Sequence, residues 1–211
     1  MEPEPARQPL PNKPLPRDFF ARDTEIVARD LLGIWLMRST SEGVTGGPIV
    51  ETEAYLGPED LASHARAGRT KRTEPMFGEV GHAYVYLVYG MHECLNVVAY
   101  NGREAGAVLL RAIEPRVGIS LMRARRGGRT DPDAKLAAGP ARLSQAMAVT
   151  RAFDGHDLTT DDQLWLAFPP DEGLAPEVKV GARIGVDYAG EWKDRPWRFW
   201  VANSPSVSRT R

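Results

Sequence analysis

A single cysteine, Cys94, occurs in 211 residues, which excludes an intramolecular disulfide. Four histidines, His64, His82, His92 and His156, lack the close Cys/His or His/Glu spacing of a zinc site, so no structural metal is expected. No stretch approaches the roughly 20 apolar residues that span a bilayer. The start, from Met1 to Pro5, lacks the basic residues and apolar run of a signal peptide, so a cytoplasmic chain with no membrane partner is expected. A net charge of −1 argues against coating nucleic acid by bulk charge. The length suits one domain with a substantial core, and no internal repeat is evident.

The charge is unevenly distributed. From His64 to Arg129 the chain carries eleven Lys or Arg against five Glu, an excess of +6, and the remainder is correspondingly acidic. Such a segment suits a basic face that meets phosphates, or a solvated charge run.

What is present is organised around the stretch from Ile49 to Asp60. Alternation along a strand puts Glu51, Glu53 and Tyr55 on one face and Val50, Thr52 and Ala54 on the other. Two solvated glutamates on a surface strand are the ordinary reading. The other is a polar cavity, and Gly57-Pro58 stops the strand where a scaffold presents reactive groups. Arg111, in the apolar run Val108 to Ile113, is expected to pair with a carboxylate or anion, or to snorkel to solvent. Asn96 lies in another apolar run and must meet backbone or face a pocket, since burying an unbonded amide costs ~1–3 kcal/mol. Cys94 beside it reads as a small core residue.

Around these positions, Met1 to Pro16 reads as a disordered arm and residues 17–211 as a single compact domain. Periodicity predicts a helix from Thr24 to Leu32, a strand from Gly33 to Arg38, and a turn-rich connection from Ser39 to Gly47. A basic loop runs from Arg66 to Pro75. Two aromatic strands between Ala83 and Tyr100 fold about Gly90-Met91 with Tyr89 at the tip, and Asn101-Gly102 marks another turn. A strand from Ala105 to Glu114 follows, then helices from Ile119 and from Ala141 to Val149. The stretch from Phe153 to Leu166 is acidic with no assigned strand, and late strands run from Val178 to Val186 and from Trp197 to Ala202. The expected class is α+β: a curved antiparallel or mixed sheet with surrounding helices and a protruding hairpin.

The run E-T-E-A-Y-L-G-P-E-D, followed in order by S-H-A, Y-V-Y-L-V-Y-G-M, C-L-N, V-L-L-R-A-I-E-P, A-G-P-A-R-L and A-G-E-W, resembles the alkyladenine (3-methyladenine) DNA glycosylase family. The resemblance spans residues 16 to 209 and makes the domain a DNA glycosylase domain. It implies a monofunctional enzyme of base excision repair that flips a damaged purine out of double-stranded DNA and hydrolyses its N-glycosidic bond. The implied substrates are 3-methyladenine, 7-methylguanine, hypoxanthine and ethenoadenine. Glu53 matches the carboxylate that activates water, and Arg111 the residue that helps hold that water. Tyr55, His64 and Tyr86 match the stacking groups, Asn96 the amide that excludes the 2-amino group of guanine, and Ile184 a backbone contact to the base. Tyr89 matches the intercalating residue, with Met91 beside it. No lysine nucleophile matches, so lyase chemistry is not expected. Neither cofactor nor metal is implied, and a monomer is expected, associated with the nucleoid if the cell is bacterial. His92 departs from the family, which often has an aromatic there, and the loop from Gly78 to His82 also varies; both bear on lesion preference. The competing readings are a non-catalytic damaged-DNA-binding module and a small-molecule nucleoside hydrolase.

Overall fold

The E-T-E strand is the spine of the sheet. The protein is described here from a computed structural model, which defines residues 10–11, 13–100, 102, 104–160, 162–170 and 175–208. Strands β1 (Trp35–Thr40) and β2 (Gly43–Tyr55) form a tight antiparallel hairpin, from Trp35 opposite Pro48 to Thr40 opposite Gly43. The predicted turn-rich connection is therefore mostly strand. Its glycines serve close approach: a Cβ on Gly47 would lie 1.8 Å from the Glu114 carbonyl oxygen, and one on Gly46 2.4 Å from the Met37 sulfur.

The remaining strands are β3 (Ala83–Val88), β4 (His92–Val98), β5 (Ala107–Ile113), β6 (Leu164–Ala167), β7 (Val178–Gly181) and β8 (Arg198–Val201). They make one eight-stranded sheet in the order β3-β4-β5-β2-β1-β6, with β8 on β2 and β7 on β8, every ladder antiparallel. The first half of β2 pairs with β1, and its second half lies between β5 and β8. Register against β5 shifts on both sides of Glu51, an irregularity of the kind that re-aims side chains.

Helices α1 (Thr24–Asp30), α2 (Ile119–Arg125) and α3 (Pro140–Ala146) surround the sheet, giving the α+β class. Helix α1 covers the β2 face that carries Thr52 and Ala54; the Thr52 hydroxyl donates to the Ala28 carbonyl at 2.7 Å. Val27, Ala28, Leu31, Ala54, Val108 and Leu110 are buried in the core there, and each large aliphatic side chain contributes about 1.5–3 kcal/mol. With that face given to the core, Glu51 and Glu53 point the other way.

Other expectations need correction as well. The acidic stretch contains β6, whose four residues are all buried against β1, because its short apolar run is hidden between acidic flanks. The late strand ends at Gly181, which leaves Ile184 in a loop. The end of the expected disordered arm is packed: Leu15 is fully buried and its N–H donates to the Leu166 carbonyl at 2.9 Å. Residues 1–9 and 12 of that arm, and Asn101 of the predicted turn, lie outside the described residues.

The β3–β4 hairpin protrudes as expected, but its turn sits one residue earlier, at Tyr89-Gly90. Both have positive φ, 51° and 70°, and the Met91 N–H closes onto the Val88 carbonyl at 3.1 Å. Left-handed conformation at consecutive residues matches the twist of paired strands. Tyr89 is 90% exposed and Met91 70%, a large apolar tip with no core to serve.

Candidate active site

Neither glutamate of E-T-E is solvated. Glu51 and Glu53 are both completely buried, and burying two carboxylates demands cations and donors around them. Arg111, from β5, supplies both: its Nε donates to Glu51 Oε1 at 2.9 Å, and its Nη1 lies 3.2 Å from Glu53 Oε2. Arg198, from β8, adds a second cation, its Nε 2.7 Å from Glu51 Oε1. The chain end completes the shell, with the Ser208 N–H at 2.7 Å from Glu51 Oε2 and its hydroxyl at 2.8 Å from Oε1. Burial acts to raise the Glu51 carboxyl, but Arg111, the Ser208 N–H and Arg198 together outweigh it and leave it below the ordinary range. Burial likewise opposes the Arg111 charge, and Glu53 and Glu51 more than offset it.

Glu53 is held differently. Its Oε1 accepts the Ile184 N–H at 2.7 Å, and its Oε2 accepts the Tyr55 hydroxyl at 2.8 Å and forms an ion pair with Arg111. A carboxylate offers about four acceptor positions, so one remains, on Oε1. Of the five N–H groups of a guanidinium, Arg111 commits one to Glu51 and one, at 3.2 Å, to the Ser208 hydroxyl, and its Nη1 makes an ion pair with Glu53. A vacant acceptor beside uncommitted donors is what a general base and its water need.

Tyr55, Arg111 and Ile184 all line one cavity of about 800 Å³, which also takes in His64, Tyr84, Tyr86, Asn96 and the tip residue Tyr89. His64 and Tyr86 meet edge to face with centroids 4.5 Å apart, and the His64 Nδ1 shares a hydrogen bond of 2.9 Å with the Tyr84 hydroxyl. Asn96 does both things open to it: its amide donates to the Tyr84 carbonyl at 3.0 Å and it faces the cavity. Cys94 is buried as expected, with its thiol pushed up to about 11 by burial, and it too lines the cavity. Every sequence-predicted residue except Glu53 and Met91 borders this space; Glu53 touches it through three partners that do.

Residues 18–205 match the profile of the methylpurine-DNA glycosylases. The chain belongs to that family. A mouse DNA-3-methyladenine glycosylase is 48% identical over 202 residues, covering 90% of this chain and 60% of the mouse protein. The human protein of that name is 44% identical over 200 residues, 90% of this chain and 66% of its own length. A Methanocella arvoryzae protein, provisionally named a 3-methyladenine DNA glycosylase, is 47% identical over 195 residues and is covered over 96% of its length.

Several residues around the site escaped the sequence reading. Asp60, the last residue of the E-T-E motif run, caps the turn by accepting the Leu56 and Ala62 N–H groups, and it clamps Arg183 bidentately at 2.6 and 2.9 Å. Arg183 lies 4.7 Å from the centre of the Tyr55 ring and directly precedes Ile184. The pair thus fixes both the Tyr55 ring and the N–H that binds Glu53. Arg198 carried a legible signal, an arginine within an aromatic and apolar strand, the same one that marks Arg111. Ser208 carried none.

Burial, reinforced by Arg72 and Arg66, lowers His64 to about 4, so its ring is neutral at physiological pH. A neutral ring tolerates a cation beside it where an imidazolium would repel it. Because the folded value lies below the ordinary 6.5, the unfolded chain binds the extra proton first, and stability falls as pH drops from about 6.5 to about 4. The expected loss is at most about 3 kcal/mol. Urea unfolding across that range should show it, and a His64 ring proton that titrates near its ordinary value would contradict it.

Proposed function

We propose that the protein is a monofunctional hydrolase that releases alkylated or deaminated purines, namely 3-methyladenine, 7-methylguanine, hypoxanthine and ethenoadenine, from duplex DNA. The observation that carries the reading is Glu53: a fully buried carboxylate with one open acceptor, tied to Arg111, at the wall of an aromatic cavity. In this reading water donates one hydrogen bond to Glu53 and accepts one from Arg111. Its oxygen attacks C1′ as the bond from C1′ to the purine nitrogen breaks, and Glu53 takes the proton. The bonding electron pair leaves with the base. A cationic alkylpurine departs without a proton, whereas a neutral purine must gain one. The negative charge of Glu53 also favours the oxocarbenium-like sugar.

The flipped base stacks between Tyr55 and the pair His64 and Tyr86, and Asn96 disfavours the 2-amino group of guanine, a penalty that 7-methylguanine offsets because its cationic base leaves readily. Tyr89 fills the gap left in the duplex. Arg72 lines the cavity and Arg66 sits 5.4 Å from the Tyr188 ring beside it, a basic rim for the phosphates. The protein acts as a monomer in the cytoplasm and needs no lyase step.

Single-turnover release of hypoxanthine and ethenoadenine from duplex oligonucleotides tests the reading, with undamaged duplex and free nucleosides as controls. Tyr89→Ser in the same assay should capture the lesion roughly 10- to 100-fold less well, since a base–aromatic stack is worth about 1–3 kcal/mol. Its stability should stay within about 0.5 kcal/mol of wild type, because the ring is exposed. Unchanged capture with a lowered melting temperature would make Tyr89 a structural residue instead.

A further inference from the structure

We propose that Glu51, closed over by Ser208 and Arg198, is a positioning residue for the reaction: it fixes the guanidinium of Arg111 so that this group serves Glu53 and the water without collapsing onto Glu53. The inference rests on the glycosylase reading above, in which Arg111 and Glu53 hold the attacking water.

The geometry distinguishes the two glutamates. Glu51 is completely buried and receives four hydrogen bonds, from Arg111 Nε, Arg198 Nε, and the N–H and hydroxyl of Ser208. Three of those bonds converge on Oε1 and one reaches Oε2, and of the three donor residues only Arg111 borders the cavity, whereas Tyr55, Ile184 and Arg111 around Glu53 all do. Glu53 keeps one position open. Arg111 is gripped through all three of its nitrogens by different partners: Nε by Glu51 at 2.9 Å, Nη1 by Glu53 at 3.2 Å, and Nη2 by the Ser208 hydroxyl at 3.2 Å. Three separate partners thus oppose rotation of its plane, and the shorter ionic contact goes to Glu51.

The charges around this group come from every neighbouring element. Glu51 and Glu53 stand on β2, Arg111 on β5, Arg198 on β8, and the Tyr55 hydroxyl and the Asp60-paired Arg183 close the Ile184 side. Two carboxylates face two guanidiniums in the buried cluster. Neutralise Glu51, and Arg111 and Arg198 confront Glu53 alone; Arg111 is then free to pair with both oxygens of Glu53, which takes the acceptor the water requires. Arg198 therefore balances charge, and the Ser208 hydroxyl bridges carboxylate to guanidinium.

The test compares wild type with Ser208→Ala, Ser208→Thr and Glu51→Gln on duplex DNA containing hypoxanthine. Ser208→Ala removes the hydroxyl but leaves the backbone N–H, and is the variant to rely on if Glu51→Gln does not fold. Single-turnover release is expected to slow about 10-fold in Ser208→Ala and about 100-fold in Glu51→Gln, with lesion affinity within about twofold of wild type. Ser208→Thr should restore the rate, and the acidic limb of the rate profile should move to lower pH in Glu51→Gln. Independently of activity, the Arg111 Nε–H should give a slowly exchanging NMR signal in wild type that broadens in Ser208→Ala. Folded variants with wild-type rates, an unmoved acidic limb and an unchanged Arg111 signal would overturn the proposal. If wild type itself released no base, the glycosylase reading would fail, while the Arg111 signal would still decide whether Glu51 and Ser208 hold that side chain.

Discussion

Glu53→Gln is expected to bind lesion-bearing duplex as tightly as wild type and to release the base about 10³- to 10⁴-fold more slowly. The amide is close to the carboxylate in shape, so Tyr55 and the cavity wall should stay in place. Two things change. The side chain can no longer take a proton from water, and its NH₂ must replace an acceptor that now serves either the Ile184 N–H or both Tyr55 and Arg111. Arg111 retains its shorter contact with Glu51, so the fold should survive. Fluorescence anisotropy and single-turnover release on one oligonucleotide separate binding from chemistry. Turnover within tenfold of wild type would remove Glu53 from the proton transfer.

Arg111→Met should cost about 3–5 kcal/mol of folding stability at neutral pH, because it strands buried carboxylates while matching the packing of the arginine stem. Arg198 and Ser208 remain for Glu51, but Glu53 loses its only ion-pair partner among the described residues. The pH dependence separates charge from packing. In wild type the Glu51 carboxyl lies below its ordinary 4.5, so its ion pairing stabilises the fold above that value and is lost as pH falls through the lower, folded value. The variant gives up that contribution, so its deficit should be largest near pH 7 and shrink in acid as the stranded carboxyls take up protons. Urea unfolding at neutral and acidic pH measures this directly. Equal deficits at both would show that Arg111 stabilises by packing alone.

The site was legible where a residue contradicted its surroundings. Arg111 in an apolar strand called for a carboxylate or anion, or else a route to solvent, Asn96 in another announced a hydrogen bond or a pocket, and the alternation of E-T-E put two carboxylates on one face. All three readings correspond to contacts in the structure. The aromatic positions came from the family resemblance, since tyrosines in a hairpin are ordinary in themselves. What could not be read was the closure. Whether Glu51 and Glu53 meet water depends on residues far along the chain, at Arg183, Arg198 and Ser208, and no local pattern links them to residue 51. The strand β6 was masked by acidic flanks, and Gly46-Gly47 looked like a turn because a sequence does not show which backbone crosses a glycine. Ile184 was placed in a strand because the apolar positions after Gly181 continue the alternation, whereas the Asp60 clamp on Arg183 holds that segment as a loop.

The most direct measurement is the identity of what leaves duplex DNA treated with a methylating agent and incubated with the protein. Chromatography of the soluble fraction should show free 3-methyladenine, with the strand intact until alkali cleaves it at the abasic sites. Glu53→Gln under the same conditions should yield none. Tight binding of the methylated duplex with no free base from wild type would contradict the account and leave a lesion-binding protein in place of an enzyme.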